Sequence, residues 1–164
     1  MAEIQFTSEE REAYIDRIRR LPAHLEGLVA GLTDEQLHTP FLAGEWTVAQ
    51  NVHHVYDSHV MSYMRLKRIL TEDNPTLHPY DQDAFATLAD YSLPISNALN
   101  LLYQHHARWV RIFESLDEPQ WVRVGTLAAS GRQITPEDLV KLYAEHGEAH
   151  LDQIRRTLAA GEGA

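Results

Sequence analysis

TPEDLVKLYAEHGEAHLDQIRRTLAAG, residues 135–161, is the stretch on which the fold turns. Thr135 is a good N-cap, Pro136 suits the first helical position, and Glu137 and Asp138 face the positive end of the helix dipole. At about 100° per residue the segment divides into two faces. Lys141, Glu145, Glu148, Asp152, Arg155 and Arg156 share one, and Leu139, Tyr143, Gly147, Ile154 and Leu158 share the other. The spacing predicts one long amphipathic helix ending at Gly161. His146 and His150 fall inside its apolar face, four residues apart, so their rings stack on adjacent turns and can reach one metal ion. The competing reading is a pair of core histidines satisfied by backbone or hydroxyl partners; a third ligand separates the two.

Three further long helices are predicted upstream. The first opens at Thr7-Ser8-Glu9-Glu10 and runs to about Gly31, with Pro22 inside it expected to kink or divide it. Thr33-Asp34-Glu35-Gln36 marks a short capped turn. The second begins with the capping box Thr47-Val48-Ala49-Gln50 and runs to about Glu72, before Asn74-Pro75. The third starts near Pro94 and ends near Leu116, before Asp117-Glu118-Pro119. Val122-Arg123-Val124, Ser130-Gly131 and Gln133-Ile134 predict a poor hairpin or a loop. Four long helices without a strand-rich half predict an all-α protein, a four-helix bundle with short connecting helices and one irregular loop or hairpin before the last helix, in a single domain over residues 1–164.

The chain has no cysteine, which excludes disulfides, thiolate metal sites and a cysteine nucleophile. The charged N-terminus MAEIQFTSEEREAY lacks the apolar run of a signal peptide, and no stretch approaches the ~20 apolar residues of a membrane span. A cytoplasmic location is therefore expected, with no membrane partner. The formal charge of −10 repels a phosphate backbone, so nucleic acid is not expected either. Arg65, Lys67 and Arg68 read as a solvated helix face.

Ten histidines stand against no cysteines. In the second helix the apolar stripe runs through Val48, Val52, Val55, Leu66 and Leu70. His59 lies in its middle, His54 on its flank beside Asn51 and Ser58, and His53 towards the polar side. In the third helix His106 shares a face with Leu99, Leu102, Trp109 and Phe113, while His105 is off its centre. His24, His38 and His78 are expected at the surface. Periodicity gives a histidine-lined interior and nominates His59 slightly ahead of His54, without choosing the third ligand.

Gly44-Glu45-Trp46-Thr47-Val48-Ala49-Gln50-Asn51-Val52-His53-His54-Val55 resembles the signature of the DinB-like superfamily, and more narrowly that of its YfiT group, described as metal-dependent hydrolases related to bacillithiol S-transferases. The similarity continues through Asp57-Ser58-His59, Tyr63-Met64-Arg65-Leu66-Lys67, the segments 70–76 and 79–81, and His106-Ala107-Arg108-Trp109-Val110. It closes on Tyr143-Ala144-Glu145-His146-Gly147-Glu148-Ala149-His150-Leu151, where the family's HxxxH pair falls. In that pattern the ligand histidine follows the tryptophan by eight residues, which here is His54. The resemblance thus implies a four-helix bundle with one divalent ion per chain held by His54, His146 and His150; imidazole ligands suit several metals, of which zinc is expected first and nickel second. His106, Trp109, Asn51 and Ser58 are expected to line the cavity. Members of the group often carry further histidines where this chain has Gly147 and Glu148.

Three neutral imidazoles leave a divalent ion its charge and an open coordination position, the pattern of catalytic sites. Such an ion lowers the pKa of bound water from 15.7 to ~7. The expected function is metal-dependent hydrolysis in which the site activates a water nucleophile, with no catalytic side chain named beyond the ligands. One alternative is a bacillithiol-type thiol S-transferase using a metal-bound thiolate; another is a metal-stabilised binding protein without turnover. The expected partners are a small-molecule substrate, a low-molecular-weight thiol among the candidates, and a second copy of the chain in a homodimer.

Overall fold

The computed structural model describes residues 5–162. In chain order the elements are α1 (Ser8–Val29), α2 (Asp34–His38), α3 (Val48–Thr71), β1 (Thr76–Leu77), α4 (Gln82–Phe85), a 3-10 turn (Ala89–Ser92), α5 (Ile95–Glu114), α6 (Glu118–Trp121), β2 (Gly125–Leu127), β3 (Gln133–Ile134) and α7 (Pro136–Glu162). Helix starts fall where side chains can satisfy the first backbone donors. Thr47 Oγ1 accepts from the amide of Gln50 at 3.2 Å while Gln50 Oε1 accepts from the amide of Thr47 at 3.0 Å, and the same reciprocal box closes α1, α2 and α6. Thr135 and Asp138 make the equivalent exchange at the head of α7.

α1 and α3 each pack against both α5 and α7, so the four long helices form a ring in the order α1, α5, α3, α7. The chain therefore crosses the bundle diagonally from α1 to α3 and again from α5 to α7. The expected hairpin is present: β2 and β3 are antiparallel, with Gly125 opposite Ile134 and Thr126 opposite Gln133. β1, which the sequence analysis does not anticipate, adds to β2 in parallel and ties the α3–α5 connection to the α6–α7 connection. Gly125 is required where this sheet meets α3. A Cβ there would lie 2.9 Å from both Ile69 Cγ1 and Leu77 Cδ1.

Pro22 neither divides nor terminates α1, which is helical from Ser8 to Val29. Ile18, Leu21, Pro22 and Leu25 are all buried, so tertiary packing outweighs the loss of one backbone hydrogen bond. The carbonyl that Pro22 leaves without its helical donor, that of Ile18, accepts instead from His106 Nδ1 at 2.7 Å.

The core falls into two apolar clusters. One holds Ile15, Ile18, Tyr63, Leu66, Trp109, Phe113, Leu139 and Tyr143 among others; the second holds Leu21, Leu25, Val48, Val52, Val55, Leu102, Leu151 and Ile154. Between them, at residues 54–59 of α3, 106 of α5 and 146–150 of α7, lies a layer of histidines. The first cluster is closed at its end by Arg11, 4% exposed, whose guanidinium lies over Trp121 and donates to Glu137, itself 0% exposed. The amide of Gln5 also donates to that carboxylate, at 2.7 Å. Removing Arg11 strands a buried carboxylate, so Arg11→Ala should cost about 3–5 kcal/mol, read as a shift in the urea unfolding midpoint; a loss below ~1 kcal/mol would mean that Glu137 finds water or a proton instead.

Candidate metal centre

His54 is on the second turn of α3, and His146 and His150 are on successive turns of α7, across the seam where these helices pack. Their Nε2 atoms converge. His150 Nε2 lies 3.1 Å from His146 Nε2, which lies 3.3 Å from His54 Nε2. Each ring offers one donor atom, and the three lie within 4.8 Å of one another. A tetrahedral ion with bonds of 2.0–2.1 Å to imidazole nitrogen spaces its ligands ~3.3 Å apart, so this donor set fits zinc-like coordination.

The proton of one ring, His150, is assigned by its surroundings. Asn51 Nδ2 donates to the carbonyls of Thr47 at 3.0 Å and Trp46 at 3.4 Å, which turns its Oδ1 towards His150. His150 Nδ1 donates to that oxygen at 2.8 Å, leaving Nε2 as a lone pair. On His146, Nδ1 faces His59 Nε2 at 3.2 Å and Nε2 faces the other two rings. His54 Nδ1 is buried and makes no hydrogen bond, and Trp46 stands edge-on against the His54 ring at 4.6 Å. Ser58 Oγ lies 3.4 Å from His146 Nε2.

Burial keeps these rings neutral. Desolvation pushes His54 down to about 4 from an ordinary 6.5, helped by His150; it pushes His146 to about 3, helped by His150 and His54, and His150 to about 4. The rings then carry no charge at neutral pH, and His150 presents a lone pair to the centre, an arrangement suited to a cation.

The residues expected beside the triad take different places. Asn51 and Ser58 touch it directly. His106 and Trp109, 2% and 0% exposed, lie one layer deeper, and His106 reaches the triad only through His59, whose Nδ1 is 2.9 Å from His106 Nε2. His59, central to the apolar stripe, is wholly buried yet contributes no atom to the converging set. His53 is not on a solvated face: segment 72–94 folds over it, its Nε2 donates to the carbonyl of Leu93 at 3.0 Å, and Tyr91 packs against its ring. His24, His38 and His78 are exposed. Glu148 is exposed and paired with Arg17.

Sequence reasoning missed the mouth of the site. A cavity of ≈ 240 Å³ reaches His150 and is walled by Glu45, Trp46, Gln82, Asp83 and Gln153. Glu45 Oε2 is buried there without a hydrogen-bond partner, while Oε1 is 3.2 Å from Arg156. Gln82 and Asp83 come from α4, too short to carry a periodic signal.

The DinB superfamily model matches residues 17–154. The chain belongs to the DinB superfamily. A superfamily relative from Geobacillus thermodenitrificans, named "putative metal-dependent hydrolase", is 41% identical over 154 residues, which cover 93% of this chain and 86% of the relative. Another of the same name from Bacillus pumilus is 38% identical over 148 residues, covering 90% and 85%. Among solved structures, YfiT from Bacillus subtilis, described as a probable metal-dependent hydrolase with an unusual four-helix bundle topology, superposes with a TM-score of 0.90 at 35% identity, covering 96% of this chain and 90% of YfiT. The DinB-like four-helix bundle implied by the resemblance is thus the fold, and the diagonal crossings described above are its topology here. No described helix is long and apolar enough to cross a membrane.

The depressed pKa values set an acid limit on the metal-free protein. Below pH 6.5 the unfolded chain binds protons at these histidines and the native state does not, so stability is present above 6.5 and is lost as pH falls towards 4–3. With chelator present, the melting temperature should fall steadily from pH 6.5 to 5, with unfolding at pH 5.5 taking up more than one proton. A flat profile across that window would show that the rings titrate normally.

Proposed function

We propose that this chain is a metal-dependent hydrolase that holds one divalent ion, zinc by preference and nickel as a substitute, on Nε2 of His54, His146 and His150. The observation that carries this reading is the convergence of three neutral imidazole nitrogens at the wall of an open cavity, with His150, through Asn51, held in the tautomer that exposes a lone pair. An ion bound there supplies Lewis acidity, which lowers the pKa of a water from 15.7 to ~7. The chain's own residues do the rest. Asn51 holds His150 in register, Trp46 backs His54, and Ser58 Oγ offers a hydroxyl beside His146. Glu45, with a free buried oxygen on the cavity wall, is the carboxylate proposed to accept the proton of the attacking water, a role the sequence left unfilled.

The cavity also bears on the substrate. Its wall carries Glu45 and Asp83 and no lysine or arginine. Such a surface suits neutral or cationic molecules of modest size and disfavours a thiol that bears carboxylates, so hydrolysis is preferred here over S-transfer. A site that only stabilised the fold would have no need of an open approach.

Zinc stoichiometry tests the ligands. One ion per chain is expected, falling towards zero in His54→Ala, His146→Ala and His150→Ala; unchanged occupancy in all three sinks the assignment. At free zinc 100 times its dissociation constant the ion should add ~2.7 kcal/mol of stability, seen as a melting shift on chelation. Hydrolysis of an ester and amide panel should require the ion and drop ~10²-fold or more in Glu45→Gln with zinc retained. Consumption of a small thiol by the loaded protein without any hydrolysis would favour the transferase instead.

A further inference from the structure

We propose that a relay of hydrogen bonds starting at Pro22 and running through all four long helices sets the tautomer of His146, making His59 and His106 positioning residues for the metal centre. The inference rests on the metal-site reading above and adds to it how the donor atom is presented.

The direction of the relay is forced from its far end. A proline at position 22 has no N–H, so the carbonyl of Ile18 in α1 lacks its i+4 donor. His106 Nδ1 in α5 lies 2.7 Å from that oxygen. A carbonyl can only accept, so the proton is on His106 Nδ1 and, in a neutral ring, Nε2 is a lone pair. That lone pair lies 2.9 Å from His59 Nδ1 in α3, which must donate. His59 Nε2 is then the acceptor, 3.2 Å from His146 Nδ1 in α7, which donates in turn. His146 Nε2 is left as a lone pair facing His54 and His150. A single missing backbone proton thereby assigns three imidazoles in series.

The packing supports a built device. The His59 and His106 rings are parallel, with planes 3° apart and centroids 5.0 Å apart, as suits a bond between in-plane nitrogens, and Trp109 and Tyr143 stand edge-on against His59 at 5.3 Å each. Rings clamped this way cannot rotate to exchange their nitrogens. Without the relay His146 is free to adopt the Nε2–H form that free histidine favours, which puts a proton where the ion must bind. Asn51 performs the same service for His150 with one hydrogen bond; for His146 the carbonyl that fixes the proton is reached through two rings, His59 and His106.

The test has two independent readouts. In the metal-free wild-type protein, long-range ¹H–¹⁵N correlation of the imidazoles should show His106, His59 and His146 all as Nδ1–H tautomers. An Nε2–H form at His59 or His146 overturns the relay without reference to any ion. Zinc affinity by chelator competition should weaken ~10–100-fold in His106→Leu, a residue that touches neither ion nor ligand. His106→Gln, which can both donate to Ile18 and accept from His59, should recover part of the loss. The double variant His59→Leu/His106→Leu should bind no more weakly than His59→Leu alone, because links in series are not additive. Wild-type affinity in a folded His106→Leu overturns the proposal. Were that variant to misfold, the wild-type spectrum still decides. Wild-type protein that binds no zinc overturns the metal reading instead.

Discussion

A layer of imidazoles through the middle of an apolar bundle obliges every ring nitrogen to find a hydrogen-bond partner or a cation. At His59 and His106, 0% and 2% exposed between the two apolar clusters, an unmatched nitrogen carries the full desolvation penalty, about 1–3 kcal/mol. Five rings bring ten nitrogens to this layer: His54, His59, His106, His146 and His150. The backbone carbonyl of Ile18 and the amide of Asn51 absorb one each, neighbouring rings absorb four, and three Nε2 atoms are left aimed at a common point. His54 Nδ1 is the one remainder. A cation placed at that point would satisfy three nitrogens at once.

Surface and interior divide the electrostatic work. The formal charge of −10 draws cations towards the molecule at long range, where salt screens it. Among the described residues no carboxylate joins the three converging nitrogens, so the donor set itself is neutral and would leave an ion its charge. The acidic groups nearest the opening, Glu45 and Asp83, sit where an approaching molecule meets them first. An acidic mouth over a neutral donor set separates attraction of the ion from its activation.

The bundle was legible because its signals are long and local. The faces of 135–161, the Thr47–Gln50 box and the stop at Asn74-Pro75 all fall within a few residues of the observed boundaries. The sheet was only half visible: strands of two or three residues carry no period, and β1 exists because β2 reaches it from 50 residues away (Thr76 to Thr126 in register). At the site, the helical wheel ranked His59 above His54, since burial is what a wheel measures. Burial alone does not choose a donor: both nitrogens of His59 are taken up by His106 and by Nδ1 of His146, whereas His54 aims Nε2 at the Nε2 atoms of His146 and His150. His53 was misplaced for a related reason. A wheel treats the far side of a helix as solvent and cannot see a loop folding over it. Pro22 read as a helix breaker because its partner for the orphaned carbonyl, His106, is 88 residues distant in sequence from Ile18.

The diagonal crossings mean that no hairpin of this protein contains the donor set. His54 and His146 are 92 residues apart, and the helix between them in sequence, α5, contributes none of the three converging atoms. Closing so long a loop is entropically costly and must follow the local helices rather than lead them. During synthesis the growing chain carries one of the three nitrogens until residue 146 has been added, and the third only at residue 150, fourteen residues from the end of this sequence. Assembly of the converging set therefore waits on the last long helix, α7, and cannot precede its docking against α3.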